Sequence, residues 1–110
     1  MVNDSKSNVT AGNWDVCYNT GDSTMVLSCT VTTNDSKPTI TGVGVLLNNQ
    51  AGHTVGAGYT ELANGTSSAT PSLNLPPGSL QVGDAVTAVL TGEANGQHFF
   101  FEQDLVIGTC

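Results

Sequence analysis

The chain has 110 residues and a mass of 11.2 kDa, the size of one domain built around a single core. Nine acidic residues against two lysines, Lys6 and Lys37, and no arginine give a formal charge of −7, which excludes nucleic acid as a partner and excludes attachment to anionic membrane through a basic patch. Charged residues make up 10% of the chain while Gly, Ser, Thr and Asn fill 47 of its 110 positions, so the expected surface is hydroxyl and amide rather than ionic.

The chain is 38% hydrophobic, with long Val, Leu and Thr runs, which argues for a packed core and against disorder. No run reaches the roughly 18 apolar residues of a transmembrane segment, and Met1–Lys6 lacks the apolar stretch of a signal peptide. The polar composition suits a mature extracellular or cell-surface protein. A 3.6-residue period is absent. Period-two alternation recurs instead between clusters of Gly, Asn, Asp and Pro, and predicts seven strands.

Residues 1–12 read as a flexible N-terminal segment or a short extra strand. Asn3-Asp4-Ser5-Lys6-x-x-Val9-Thr10 is echoed by Asn34-Asp35-Ser36-Lys37-x-x-Ile40-Thr41, and the echo suggests that Val9 and Thr10 begin a strand. It is too short to make a repeat protein. The first strand, residues 14–19, lines up Trp14, Val16 and Tyr18. The second, residues 24–33, lines up Met25, Leu27, Cys29 and Val31. A tight turn over Asp22 and Ser23 would set Trp14 opposite Val31, Val16 opposite Cys29 and Tyr18 opposite Leu27, all on one apolar face.

That register puts Cys17 opposite Ser28, pointing away from Cys29. The three cysteines, Cys17, Cys29 and Cys110, therefore leave the disulfide open: the short loop favours Cys17–Cys29, whereas facing favours either of them with Cys110. An unpaired Cys110 would be able to link two chains. The spacing is not that of a zinc site.

The third strand, residues 39–47, is apolar on both faces, with Ile40, Gly42, Gly44 and Leu46 alternating with Val43, Val45 and Leu47. It reads as a central strand covered on both sides or as an oligomer contact. Residues 53–62 and 66–75 form the fourth and fifth strands, joined through the hairpin signal Asn64-Gly65. A two-residue turn there places Val55, Ala57 and Tyr59 opposite Asn74, Ser72 and Thr70, so either a bulge intervenes or the two strands are not a simple hairpin. The last pair, residues 84–93 and 97–107, turns at Asn95-Gly96. Its register sets Leu90 opposite Phe101, Val86 opposite Leu105 and Gly92 opposite Phe99. The buried face becomes Val86, Ala88, Leu90, Phe99, Phe101, Leu105 and Ile107, and the outer face Thr87, Thr91, Glu93, His98, Glu102 and Asp104.

Seven such strands predict an all-β, two-sheet antiparallel β-sandwich, immunoglobulin-like or of another Greek-key topology. Leu80-x-x-Gly83-Asp84-x-Val86 resembles the start of the sixth strand of immunoglobulin-like domains. The usual tryptophan of the third strand and cysteine of the sixth are missing.

Catalytic signatures are absent: no nucleophile elbow, no HExxH and no phosphate-binding loop. His53 stands in a loop beside Gly52. His98 and Glu102 share a strand face at a separation of about 13 Å, too far to ligate one metal. Asp15, Asp22, Asp35, Asp84 and Asp104 do not form a calcium loop. No enzyme activity, metal or cofactor is expected. The sequons at Asn3, Asn8, Asn34 and Asn64 mark exposed turns, and the Thr30/Thr32 and Thr39/Thr41 pairs are outward hydroxyl arrays.

Three surfaces remain. In Phe99-Phe100-Phe101 the middle ring must face outward, where Phe100, Val89 and Val106, with His98, would form an apolar patch suited to a protein partner or to self-association. The loops carrying Asn48, Asn49 and Gln50, and Asn95 and Gln97, would gather at one end of the sandwich as a small glycan-binding or inhibitory site. Tyr59 and Trp14 are further candidate exposed rings. The near absence of lysine leaves sheet edges unguarded. The leading expectation is thus a non-catalytic module for adhesion, self-assembly or partner recognition, ahead of a lectin-like or inhibitor domain and then of a secreted toxin.

Overall fold

A computed structural model describes residues 3–4 by their backbone, and residues 9–21, 23–33, 40–62, 67–75, 80–94 and 96–110 in full. The expected Asp22 turn, Asn64-Gly65, Asn95 and the echoed Asn34–Lys37 lie outside the described residues. The elements are β1 (Asn3–Asp4), β2 (Val9–Asn19), β3 (Thr24–Thr33), β4 (Ile40–Asn48), β5 (Thr54–Glu61), β6 (Ser68–Ala69), β7 (Ser72–Leu75), β8 (Ala85–Ala94), β9 (Gln97–Val106) and β10 (Gly108–Thr109), with no helix among the described residues. One sheet runs β1-β9-β8-β4-β5. The other runs β10-β2-β3, with β6 and β7 both pairing with β3. Pairing is antiparallel apart from β10, which lies parallel to β2. The chain is an all-β sandwich, with the Greek-key strand order of immunoglobulin-like domains.

The core lies between the two sheets. Met25, Leu27, Ile40, Leu47, Leu90, Phe99 and Ile107 are its largest fully buried side chains. Phe99 covers Gly92 across the β8–β9 ladder, where any Cβ would meet its ring. The whole of that hairpin keeps the register expected for it, from Ala85↔Val106 to Ala94↔Gln97, and Gly96 at φ 78° supplies the left-handed turn position. Of the apolar face expected there, all are buried except the half-buried Leu105.

Elsewhere the structure departs from the sequence reading. β2 begins at Val9, as the echo suggested, but pairs with β3 two residues away from the expected register: Val16 opposes Leu27 and Tyr18 opposes Met25. The cause is the turn. Asn19 Oδ1 accepts the Gly21 N–H at 2.9 Å, and the connection between Asn19 and Thr24 takes four residues, not two. A slip of two leaves the faces intact, so Val16 is still buried. Between Gly12 and Asp15 a bulge intervenes, with Asn13 at φ 54°; Ala11, rather than Trp14, opposes Val31. Trp14 packs on the core and is no exposed platform.

β5 and the fifth predicted strand do not form a hairpin. β5 joins the β4 sheet, and β6 and β7 join β3 across the sandwich. Pro71 breaks that strand in two without a change of register, and its carbonyl still accepts the Cys29 N–H at 3.3 Å. β4 is central in its sheet, between β8 and β5, as expected, but the other sheet covers only its inner face, and Gly44 and Leu46 on the outer face are half-buried.

After β9 the chain crosses to the other sheet. Gly83 donates to the Ile107 carbonyl at 2.8 Å, and Ile107 donates to the Asp84 carbonyl at 3.0 Å. β10 then lies on β2, Cys110 N donates to the Tyr18 carbonyl at 3.1 Å, and Cys17 and Cys110 form a disulfide with Cα atoms 5.0 Å apart. Cys17 faces away from the core and Cys29 into it, so facing decides the pairing over loop length. Cys110 is consumed within the chain and is not a link between chains. Cys29 is a buried free thiol whose burial pushes its pKa up to about 11.

Candidate functional site

Alternate residues of β5, β4, β8 and β9 face outward from the five-stranded sheet, and the registers place them in rows. One row is Tyr59, Gly44, Thr91 and Phe100. The next is Glu61, Gly42, Glu93 and His98. A third is Ala57, Leu46, Val89 and Glu102. The two glycines determine what this face looks like. A Cβ at Gly42 would collide with the Tyr59 hydroxyl, and one at Gly44 would lie 3.4 Å from Tyr59 Cδ2 and 3.3 Å from Thr91 Oγ1. The Tyr59 ring therefore lies across β4 in a trough that only glycine leaves open, yet Tyr59 remains 66% exposed. Gly56 and Gly58, on the opposite face of β5, serve a different purpose: they let Leu73 and Leu75 of β7 approach from the other sheet.

Tyr59 is the wall shared by two shallow clefts. One is lined with Thr91, Glu93, His98 and Phe100, the other with Gly44, Leu46, Ala57 and Thr91. His98 is exposed, and its Nε2 lies 3.9 Å from Glu93 Oε2 on the neighbouring strand. Glu61, Glu93, Glu102 and Asp104 make the face acidic, with His98 as its one basic group among the described residues.

The predicted apolar patch does not form as expected. Val89 is 6% exposed, closed in between Leu46 and Glu102 on the neighbouring strands. Val106 is 65% exposed but opposes Ala85, six residues along β9 from half-buried Phe100, or about 20 Å. Phe100 and His98 remain on the face; Val106 stands at its far end.

The two loops of the alternative site are at opposite ends of the sheet. Asn48 opposes Thr87, whereas Gln97 opposes Ala94, seven residues further along β8, or about 23 Å. Around the β4–β5 loop, Asn48, Asn49, Gln50 and Gly52 border a cleft with Thr87, Glu102 and Asp104. Most of its polar groups are engaged locally. Asn49 Oδ1 accepts the Ala51 and His53 N–H groups at 3.0 Å each, Thr54 Oγ1 donates to Asn48 Oδ1 at 2.8 Å, and Thr87 Oγ1 donates to Asp104 Oδ1 at 3.0 Å. Asn49 is thus a loop-building residue. No group of three His, Cys, Asp or Glu side chains able to hold a metal occurs among the described residues.

The sequence pointed to Tyr59 as an exposed ring and placed Gly42 and Gly44 on one face of the third strand, but did not connect them. The signal that joins them is the cross-strand pairing of an aromatic with a glycine, which needs the β4–β5 register.

Compared with known proteins, the chain matches no family model and no curated relative. Solved structures share its fold. A β-glucuronidase of Parabacteroides merdae is similar at 12% identity and a TM-score of 0.65, over 91% of this chain and 13% of that one. OgpA of Akkermansia muciniphila, solved with an O-glycopeptide substrate, is similar at 14% identity and a TM-score of 0.59, over 92% of this chain and 29% of that one. A DUF3823 family protein of Bacteroides ovatus is similar at 13% identity and a TM-score of 0.55, over 94% of this chain and 56% of that one. The chain thus spans 13% to 56% of these proteins, and the likeness is one of fold.

Proposed function

We propose that this chain is a non-catalytic recognition module of an oxidising, extracellular setting, acting through the outer face of the β5-β4-β8-β9 sheet, with self-association as its first activity. The observation that carries the reading is Tyr59. A ring two-thirds exposed, seated over two glycines on a sheet face, is an amphipathic surface fixed in one place, the residue type enriched at interface centres. The Cys17–Cys110 disulfide supports the compartment. No helix is long and apolar enough to cross a membrane among the described residues.

Sedimentation equilibrium over a wide concentration range tests it. The weight-average mass should rise above that of the monomer, and Tyr59→Ala should weaken association at least tenfold, on the order of the 1.4 kcal/mol that a partly buried aromatic anchor contributes. A chain that stays monomeric at every concentration overturns the reading.

A second reading has its own support. Tyr59 and Phe100 flank Thr91 and Glu93 in one cleft, a pairing of rings with polar groups that suits a sugar. OgpA was solved with an O-glycopeptide substrate, but the likeness is of fold, so this reading rests on the rings. A glycan array in which binding depends on both rings would favour it; no bound glycan would remove it.

A further inference from the structure

We infer that the Tyr59 trough is a seat for an arginine side chain of a partner protein, whose guanidinium stacks on the Tyr59 ring and is held between the carboxylates of Glu61 and Glu93. This rests on the recognition reading of that face and adds an occupant that a second copy cannot supply, because the chain has no arginine.

Gly42 is the centre of the seat. Its partners are Glu61 of β5 on one side and Glu93 of β8 on the other. Each glutamate lies two positions along its strand from Tyr59 or Thr91, so both share their outward face. The Tyr59 ring runs along β4 from Gly44 to Gly42, and its hydroxyl end lies over Gly42. Two glutamates therefore flank that end of the ring, about 10 Å apart at the backbone, since neighbouring strands are spaced about 4.8 Å. Both ladders hold one register from Gly42 to Leu47, so this placement is independent of the shifts at their ends. With one edge of the ring in the trough and most of the residue exposed, a ring face stays open to solvent.

Chemistry then selects the occupant. The face of a tyrosine ring attracts a cation through its quadrupole. Carboxylates on two sides attract the same charge and accept its hydrogen bonds. Arginine meets both demands at once: its planar guanidinium stacks on a ring while its donors point outward in the plane. An ammonium group has no plane to stack and is more strongly hydrated. The wider field has the same sign. Glu102 and Asp104 belong to the outward face, and His98, 3.9 Å from Glu93, is its one basic group among the described residues. Such a face draws in a basic partner and repels an acidic one. The clefts beside Tyr59 are shallow, so the arginine arrives on a chain that covers the rest of the face, not as a free amino acid.

Capped glycine pentapeptides with one variable central residue test the seat. They are titrated into the intact chain, dilute enough to be monomeric, and followed by amide chemical shifts. A single side-chain contact is weak, so binding of the arginine peptide is expected in the millimolar range, with the shifts centred on Gly42, Tyr59 and Glu93. The citrulline peptide, of the same shape without the charge, should bind about tenfold more weakly, and the lysine peptide about threefold. Glu61→Gln combined with Glu93→Gln should weaken the arginine peptide about tenfold and leave the citrulline peptide unchanged. Asp15→Asn, which removes a charge from the other sheet, should leave both unchanged. An arginine peptide that moves no amide on this face, that binds no better than its citrulline counterpart, or that binds the double variant as well as the wild type overturns the seat and leaves self-association to its own sedimentation test. A chain that binds the arginine peptide through these residues yet never associates supports the seat and overturns self-association alone.

Discussion

The two long hairpins, β8–β9 and β2–β3, face each other across the core and hold their registers by different means. β8–β9 keeps one register over ten pairs and closes with Gly96 in the left-handed region. Its geometry is set by local chemistry: the turn, and strict alternation on both strands. β2–β3 has two registers joined by a bulge, a four-residue turn, and strain spread over Asn13 and Ser23, at φ 54° and 56°. It is held from outside, by β10 and the Cys17–Cys110 disulfide on β2 and by β6 and β7 on β3. A hairpin with strong local instructions needs no clasp, and one without them receives it from residues far away in the chain.

The largest test removes the clasp. The disulfide links residues 93 apart. The double replacement Cys17→Ser, Cys110→Ser should lower stability by about 2–5 kcal/mol, in line with loss of a long-loop crosslink. Hydrogen exchange should show the loss concentrated in β2 and β10, with β8 and β9 protected up to the global limit. Uniform loss of protection over both hairpins would mean that the clasp holds the whole sandwich and that the contrast is one of geometry alone.

The same contrast explains what could be read from sequence. The β8–β9 register, its buried face and the all-β class follow from period-two patterning and one turn dipeptide. The β2–β3 register depends on Asn19 capping its own turn and on a bulge that no pattern announces. The outward facing of Cys17 was legible, but choosing Cys110 as its partner required knowing that Ile107 carries the chain across to the other sheet. At the candidate site, Phe100 and His98 were placed on the correct face because β9 alternates cleanly. Val89 was misjudged because its exposure depends on Leu46, which belongs to another strand. The trough under Tyr59 required β4 and β5 together. Side chains are legible where one regular hairpin with its own turn signal sets their surroundings; those that depend on a bulge, on a pairing no turn dipeptide announces, or on a third strand are not.

An intermediate effect comes from titration. The inner face of β8–β9 carries no titratable group, whereas that of β2–β3 carries Cys29, 1% exposed, with its pKa raised from 9.0 to about 11. Because the raised value belongs to the folded state, the native thiol keeps its proton where the unfolded one has lost it. Its contribution is complete below pH 9 and is lost as pH rises from 9 towards 11. Denaturation midpoints should therefore fall more steeply over this window in the wild type than in Cys29→Val. Parallel slopes in the two proteins would remove Cys29 as the alkaline weak point of that hairpin.

The smallest effect compares the two hairpins at single backbone positions. Gly96→Ala puts a Cβ on a residue at φ 78°, with no compensating contact, and should cost about 1–2 kcal/mol. Asn13→Ala makes the same demand at φ 54° in the bulge, but asparagine already tolerates this region only in part, and its amide reaches Thr30 Oγ1 at a long 3.4 Å. The cost there should be smaller, about 0.5–1 kcal/mol. Urea midpoints measured on both variants order the two positions. If Asn13→Ala proves the more costly, the bulge determines its own register and β2–β3 does not depend on its distant partners in the way its irregular geometry implies.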